Sequence, residues 1–348
     1  MDLEEIIGFD ALYKSMTKCK NGVLWKDSVA HFCHNAPVEI AKLSRELKNG
    51  EYKPRITKKF IVLSPKRREV MGVAFRDRVY QRSLNDNAIY PQMTQHFIYD
   101  NAACQKGKGT DFARNRLRCH LQRFYRKHGL DGYILQCDIK GYYPNMPHRT
   151  VENEFKTHLE PEIYKLASQV LTGQYSGDTG YYPGSQMIQI AGIAVLNNLD
   201  HFIKERLRIR QYLRYMDDFI LIHHDEGYLE ECKREIKEEL RKIGLELHPE
   251  KTRIYKVSEP IKFLGFYHRL TASGKIISLI DPKNVKNERK KLRRMVSKAI
   301  RGEIPRAKVD ECFIAWKAHA LHGNNKKLVN RMEKYYRGLW ETGQNNLP

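Results

Sequence analysis

The stretch Gln211-Tyr212-Leu213-Arg214-Tyr215-Met216-Asp217-Asp218-Phe219-Ile220-Leu221-Ile222 decides how the rest of the chain reads. Aromatic, β-branched and leucine residues on both sides ask for buried strand, yet two carboxylates stand together between them. Two unit charges about 4 Å apart repel by roughly 4 kcal/mol at an effective dielectric of about 20, and desolvation adds to that. An isolated Asp-Asp is most often a turn with two solvated side chains. In a buried hairpin the pair demands compensation, and a divalent cation supplies it.

Composition narrows the partners. The 348 residues carry a net charge of +21, with 41% hydrophobic and 30% charged residues. That length buries a substantial core and allows two or three subdomains. The one-sided excess of Lys and Arg is the footprint of a polyanion, because each neutralised phosphate releases counterions. A membrane surface would attract it too, but no apolar run approaches the roughly 20 residues of a span. The start Met1-Asp2-Leu3-Glu4-Glu5 lacks the basic-then-apolar order of a secretion signal. Seven scattered cysteines with no C-x-x-C pair argue against a disulfide framework and a structural zinc site. The expectation is a cytoplasmic protein without a membrane partner.

Along the chain, residues 40–47 form the best amphipathic helix of the first fifty, ended by Asn49-Gly50. Residues 59–63 read as a strand entering the basic turn 64–69, with 70–73 as its return. Helices are expected over 77–90 and 111–127, and Tyr133–Ile139 is a short apolar strand that reaches an acid at Asp138. Helical segments follow around 148–172, then a Gly/Tyr-rich loop over 173–184, a helix over 189–208 and the Asp-Asp hairpin. A charge-dense helix covers 230–243, and 246–248 with 263–266 suggest two closing strands. Three basic helices near 283–301, 305–321 and 325–340 end the chain, where residues 279–348 hold 17 Lys and Arg against 7 Asp and Glu. A run such as Arg289-Lys290-Lys291-Leu292-Arg293-Arg294 is usually a solvated face, but this excess is unbalanced enough to favour nucleic acid.

The segment Cys137-Asp138-Ile139-Lys140-Gly141-Tyr142-Tyr143-Pro144-Asn145, taken with Tyr215-Met216-Asp217-Asp218, resembles the reverse transcriptases. The resemblance runs from about residue 58 to 266 and more loosely to the end. It implies an α+β right-hand polymerase, with fingers over 1–132, an antiparallel-sheet palm over 133–278 and a helical thumb over 279–348. It also implies that Asp138, Asp217 and Asp218 hold two Mg²⁺ ions, with Mn²⁺ as an alternative, and that Asp218 is the weaker ligand because strand alternation turns it aside. The aromatic ring five positions after Asp138, Tyr143, then stacks under the incoming sugar and excludes a ribose 2′-OH.

Further residues follow from the same resemblance. Lys66, Arg67 and Arg68 match the basic fingertip turn that grips a dNTP, Arg68 foremost. Arg76 and Arg78, with Lys106 and Lys108 in the Gly/Lys-rich segment 105–110, match template-handling segments. Gly184 and Gln189 match the loop and helix under the templating base, although Pro183-Gly184-Ser185-Gln186 departs from the usual patterns of group II intron and diversity-generating retroelement enzymes. Lys251 in Gly244–Thr252 matches the lysine that protonates the leaving pyrophosphate. Phe263, Leu264 and Gly265 match the grip on the primer end, and Arg289, Lys290, Arg293 and Arg294 provide a basic thumb for the hybrid.

The implied activity is RNA-directed DNA synthesis from dNTPs on an RNA template. Because the chain ends soon after a short thumb, a stand-alone antiphage-defence enzyme copying a dedicated noncoding RNA is expected first. A diversity-generating retroelement enzyme, a group II intron-type maturase and a catalytically idle RNA-binding protein are the alternatives. A protein partner or a homo-oligomer, and a protein hydroxyl as primer, stay open.

Overall fold

Buried positions in the first fifty residues fall at helical spacing, and that spacing makes helices of them. In the computed structural model, which describes residues 2–55, 58–63, 67–182, 184 and 186–344, α1 (Glu4–Ile7), α2 (Phe9–Cys19), α3 (Asp27–His34) and α4 (Ala36–Lys48) pack through Leu12, Met16, Ile40, Leu43 and Leu47. Gly50, with φ of +72°, closes the last of them. The chain divides into two compact units. One comprises Met1–Gly109, Leu135–Leu221 and Glu230–Arg253, the other Thr110–Ile134, Ile222–Leu229 and Ile254–Pro348.

In the first unit β1 (Lys58–Val62) and β2 (Arg68–Gly72) form an antiparallel hairpin in which Phe60 faces Val70. The expected helix over 77–90 is α5 (Phe75–Leu84), which passes through a π-helical turn over Asn85–Ile89 into α6 (Tyr90–Thr94). Later come α8 (Tyr142–Asn145), α9 (His148–His158), α10 (Pro161–Gln174), α11 (Gln186–Ala194) and α12 (Asn197–His201). The expected helix over 189–208 is therefore broken after Ala194, and it ends in a second π turn at Phe202–Arg206. The strands β3 (Tyr133–Asp138), β4 (Gln211–Tyr215), β5 (Asp218–His223) and β6 (Arg253–Lys256) form one sheet in the order β4–β5–β3–β6. Ile134, Leu135, Cys137, Leu213 and Phe219 to Ile222 are all buried. Near-continuous burial along a strand means that both faces of the sheet are covered. That is why these runs lack a polar alternation.

The second unit contains α7 (Thr110–His128) and an antiparallel sheet of β7 (Ile261–Phe263), β8 (Phe266–Leu270) and β9 (Ile276–Ile280). It closes with α14 (Pro282–Ile300), α15 (Arg306–Leu321) and α16 (Lys326–Gln344); α13 (Glu226–Lys242) begins in this unit and continues in the first. Phe266, Leu292, Val296, Val309, Phe313 and Met332 build the core of the three helices, and the Phe313 and Tyr336 rings stack at 4.4 Å.

Two closing strands differ from expectation. Phe263-Leu264-Gly265-Phe266 is a tight turn, with Phe263 paired to Phe266 and positive φ at Leu264 (+46°) and Gly265 (+83°). Its apolar character comes from two strand ends that flank a glycine turn. Residues 246–248 form no strand and make only an isolated bridge from Leu247 to Ile139.

Candidate active site

Burial of the sheet brings the acids together. β3 carries its apolar run up to Asp138, and the two-residue connection between β4 and β5 carries Met216 and Asp217, with Asp218 opening β5. Met216 has φ of +57°, a left-handed conformation unusual for a side chain with a Cβ. Arg214 holds it there. This guanidinium is fully buried and donates from Nη1 to the Met216 carbonyl at 2.9 Å. It also donates from Nη2 to the Ile193 carbonyl at 2.9 Å and makes a bidentate pair with Asp200 at 2.7 and 2.6 Å. Tyr212 donates to the same Asp200 carboxylate at 2.6 Å. The Asp-Asp hairpin thus rests on a buried charge network that the sequence reading missed. A lone arginine inside an apolar strand was the available signal, since such a charge is buried only with a partner.

Asp138 and Lys251 form an ion pair at 2.8 Å. The Gly244–Thr252 segment runs past the end of β3, where the His248 amide donates to the Asp138 carbonyl at 2.7 Å and Lys140 donates to Glu246. Asp218 accepts from Gln136 of β3 at 3.4 Å. Burial pushes the Asp218 carboxyl up to about 7; Gln136 opposes this, the charges of Asp217 and Asp138 add to it, and Lys251 opposes it. The four predicted groups therefore lie within electrostatic reach of one another. A carboxyl raised this far by burial and by neighbouring acids is a site short of positive charge.

Among the described residues, no three His, Cys, Asp or Glu side chains form a ready-made metal cluster. Mg²⁺ does not need one: it retains waters and is held by one or two carboxylates together with substrate phosphates. The donor set, all carboxylate oxygens with the Lys251 ammonium standing as cation beside Asp138, fits such an ion.

Gly141, in the left-handed region at φ +54°, turns the chain from β3 into α8 and presents Tyr142 and Tyr143. Burial, with the nearby Cys104 and Asp217, raises the Tyr143 phenol well above its ordinary value. Gly184 lies where a Cβ would come 2.7 Å from the Met71 carbonyl of β2, so only glycine permits this approach. Gln189 is an exposed residue in the mostly buried α11. Lys66 lies outside the described residues, as does the side chain of Arg68, while Arg67 is exposed.

Two expected template contacts turn inward. Arg76 is buried, paired with Glu46, and sits over the Tyr52 ring at 5.3 Å. Lys108 spends its three donors on the Tyr99 and Asn101 carbonyls and on Gln105, each at 3.0 Å. Both are internal ties, because a buried cation is retained only where acceptors surround it. Arg78 is half-buried, and Lys106 is exposed over the Tyr90 ring at 5.0 Å.

In the second unit Phe263 is buried, and the Leu264-Gly265 turn is tied by the Asp281 amide, which donates to the Gly265 carbonyl at 3.1 Å. Arg289, Lys290 and Arg293 line a cavity of about 1220 Å³ together with Lys286, Lys327 and Arg331. The α16 cations were not foreseen. Asp281 is the one acid in that lining, and it is paired with Lys262 at 2.7 Å. Arg294 is exposed on α14 but is not part of the lining.

A helix-covered sheet with acids at adjoining strand ends defines a right-hand polymerase. The telomerase of Candida albicans, solved in complex with the TWJ fragment of telomeric RNA, shares this fold, with a TM-score of 0.51 and 11% identity over 84% of this chain and 56% of that one. Apo telomerase from Candida tropicalis gives a TM-score of 0.48 at 14% identity, over 67% of this chain and 58% of that one. The family model described as reverse transcriptase (RNA-dependent DNA polymerase) matches residues 56–268, and the chain belongs to that family, whose members are nucleotidyltransferases. The group II intron-encoded protein LtrA of Lactococcus lactis subsp. cremoris is 40% identical over 74 residues, which is 20% of this chain and 12% of LtrA. The chain therefore matches only a small part of that relative's length.

Proposed function

We propose that this chain is an RNA-directed DNA polymerase that extends a primer with dNTPs on an RNA template. The observation that carries the reading is the acid-lysine cluster: Asp138, Asp217, Asp218 and Lys251 converge from two strand ends and one loop, with Asp218 lifted to about 7. Asp138 and Asp217 would hold two Mg²⁺, and Asp218 more weakly, its oxygen being engaged by Gln136. When bound, such ions lower the pKa of the primer 3′-OH and neutralise the developing pyrophosphate charge. Lys251, paired with Asp138 at 2.8 Å, would stand beside such ions, where its ammonium would supply a proton to the leaving group. Tyr143 lies under the sugar. Lys66, Arg67 and Arg68 would supply cations for the triphosphate, and Gly184 and Gln189 would stand beside the templating base.

The three-part division into fingers, palm and thumb at 1–132, 133–278 and 279–348 belongs to this proposal. So does the hold of the basic cavity on a template–primer hybrid, where charge and shape suffice without base readout. Biologically, we infer a stand-alone defence enzyme that copies a dedicated noncoding RNA. The short likeness to LtrA supports descent near group II intron enzymes. A cytoplasmic setting suits seven free cysteines, and among the described residues no helix is long and apolar enough to cross a membrane.

Asp138→Asn and Asp217→Asn should each abolish Mg²⁺-dependent dNTP incorporation on a primed RNA, while the melting temperature and RNA retention stay near wild type. DNA synthesis surviving in either clean variant would overturn the assignment. Sequencing nucleic acid that copurifies from the host identifies the template. A random population of cellular RNA there would count against a dedicated noncoding RNA.

A further inference from the structure

Helix α11 contains a residue that its own secondary structure does not favour. Its sequence is Gln186-Met187-Ile188-Gln189-Ile190-Ala191-Gly192-Ile193-Ala194, and Gly192 lies in its buried interior. Glycine there is worse than alanine for the helix. Backbone freedom does not explain it, because Gly192 is absent from the positive-φ glycines. What explains it is the space occupied by Tyr143. A Cβ at position 192 would lie 2.9 Å from the Tyr143 hydroxyl oxygen and 3.2 Å from ring carbons Cε1 and Cζ. The neighbouring Tyr142 hydroxyl donates to the Gly192 carbonyl. On the far side, the Tyr181 amide donates to the Tyr143 carbonyl at 2.9 Å, so the α8 backbone is not free to retreat.

We propose that Gly192 is a positioning residue for sugar selection: its missing side chain forms the back wall against which the Tyr143 ring is seated, and this sets how far the ring projects toward the incoming nucleotide. The inference rests on the reading of Tyr143 as the residue under the sugar. Gly192 itself touches no substrate. It acts through the depth of the ring, which a single added carbon changes by the few tenths of an ångström that separate 2.9 Å from ordinary contact. Substitution by alanine leaves the helix intact, since alanine is the better helix former, and so isolates the effect on the ring.

The test compares Gly192→Ala, Tyr143→Phe, the double variant and Tyr143→Ala in single-nucleotide extension of a primed RNA, with dGTP and GTP measured separately. Gly192→Ala should raise the KM for dGTP about 10-fold with a smaller change in kcat, and should shift the dGTP-to-GTP ratio of kcat/KM by a similar factor. Removing the hydroxyl removes the 2.9 Å contact, so in the Tyr143→Phe background the same substitution should change KM by less than about threefold. An unchanged KM and sugar ratio in Gly192→Ala would overturn the inference. So would a loss that neither Tyr143→Phe nor Tyr143→Ala relieves even in part, because the ring would then not be what the added carbon meets. Tyr143→Ala reports on the underlying reading alone: if it leaves the sugar ratio unchanged, Tyr143 is not the gate and the inference falls with it. If it relaxes the ratio while Gly192→Ala does nothing, only the role of Gly192 fails.

Discussion

The hairpins at Met216-Asp217 and Leu264-Gly265 are built alike and held differently. Each joins two strands through two residues, and each puts a non-glycine residue at positive φ, Met216 at +57° and Leu264 at +46°. In the second, Gly265 takes the next left-handed position without steric cost, and the turn is tied by one backbone hydrogen bond from Asp281. In the first, no glycine is present, and the buried Arg214 guanidinium holds the Met216 carbonyl instead. The lesson is that a turn carrying paired acids keeps side chains where glycine would be easier, and a buried charge network holds the strained shape. The Leu264-Gly265 turn uses glycine instead.

The comparison breaks most visibly at Arg214. Arg214→Met leaves Asp200 buried without its partner, and loss of one member of such a pair costs about 3–5 kcal/mol. Chemical denaturation should show that loss, with primer extension falling further than stability alone predicts. Arg214→Lys should recover part of the stability but little activity, because one ammonium cannot serve Asp200, Ile193 and Met216 together.

The second hairpin answers to pH. His268 of β8 is fully buried against Ser278, at 2.8 Å from its hydroxyl, and burial lowers its pKa to about 4. An unfolded histidine titrates near 6.5, so between these values the unfolded chain binds the extra proton. Stability is complete above about 6.5 and is lost as pH falls toward 4, by up to about 3 kcal/mol from this group. Urea midpoints measured from pH 7 to pH 4.5 should fall steeply in wild type and less steeply in His268→Gln. Equal slopes would show that another group governs acid stability.

Smaller effects sharpen the contrast. Gly265→Ala forces a Cβ into the left-handed region and should cost about 1–2 kcal/mol, read as a lower melting temperature. Met216→Gly should do the opposite at the other turn, gaining up to about 1 kcal/mol of conformational relief while reducing kcat as Asp217 loses its fixed aim. A Met216→Gly variant that is both more stable and fully active would show that the strain serves nothing.

Much of this was legible locally. The apolar run ending in Asp138, the Asp-Asp hairpin and the amphipathic α4 and α7 follow from periodicity and strand length, which are properties of neighbouring residues. Lys251 was singled out through resemblance to reverse transcriptases, and its pairing with Asp138 comes from the structure alone. The internal ties of Arg76 and Lys108 were not legible for one reason: a sequence shows that a residue is charged but not whether Glu46 or the Asn101 carbonyl waits opposite. The Phe263–Phe266 turn was read as strand because its apolar side chains match either, and only the signs of two φ angles separate them.

By itself the sequence determined that this chain needs a polyanion, buries a sheet around paired acids, and ends in cationic helices. Those facts depend on composition and on contacts within a turn or two. The tertiary structure alone decided that Arg214 underwrites the hairpin, that burial raises the Asp218 carboxyl, and that Gly192 meets Tyr143. They depend on groups such as Asp200, 14 positions from Arg214, and Gln136, 82 positions from Asp218, or on water excluded by the whole unit, and neither distance nor dielectric is written in any local pattern.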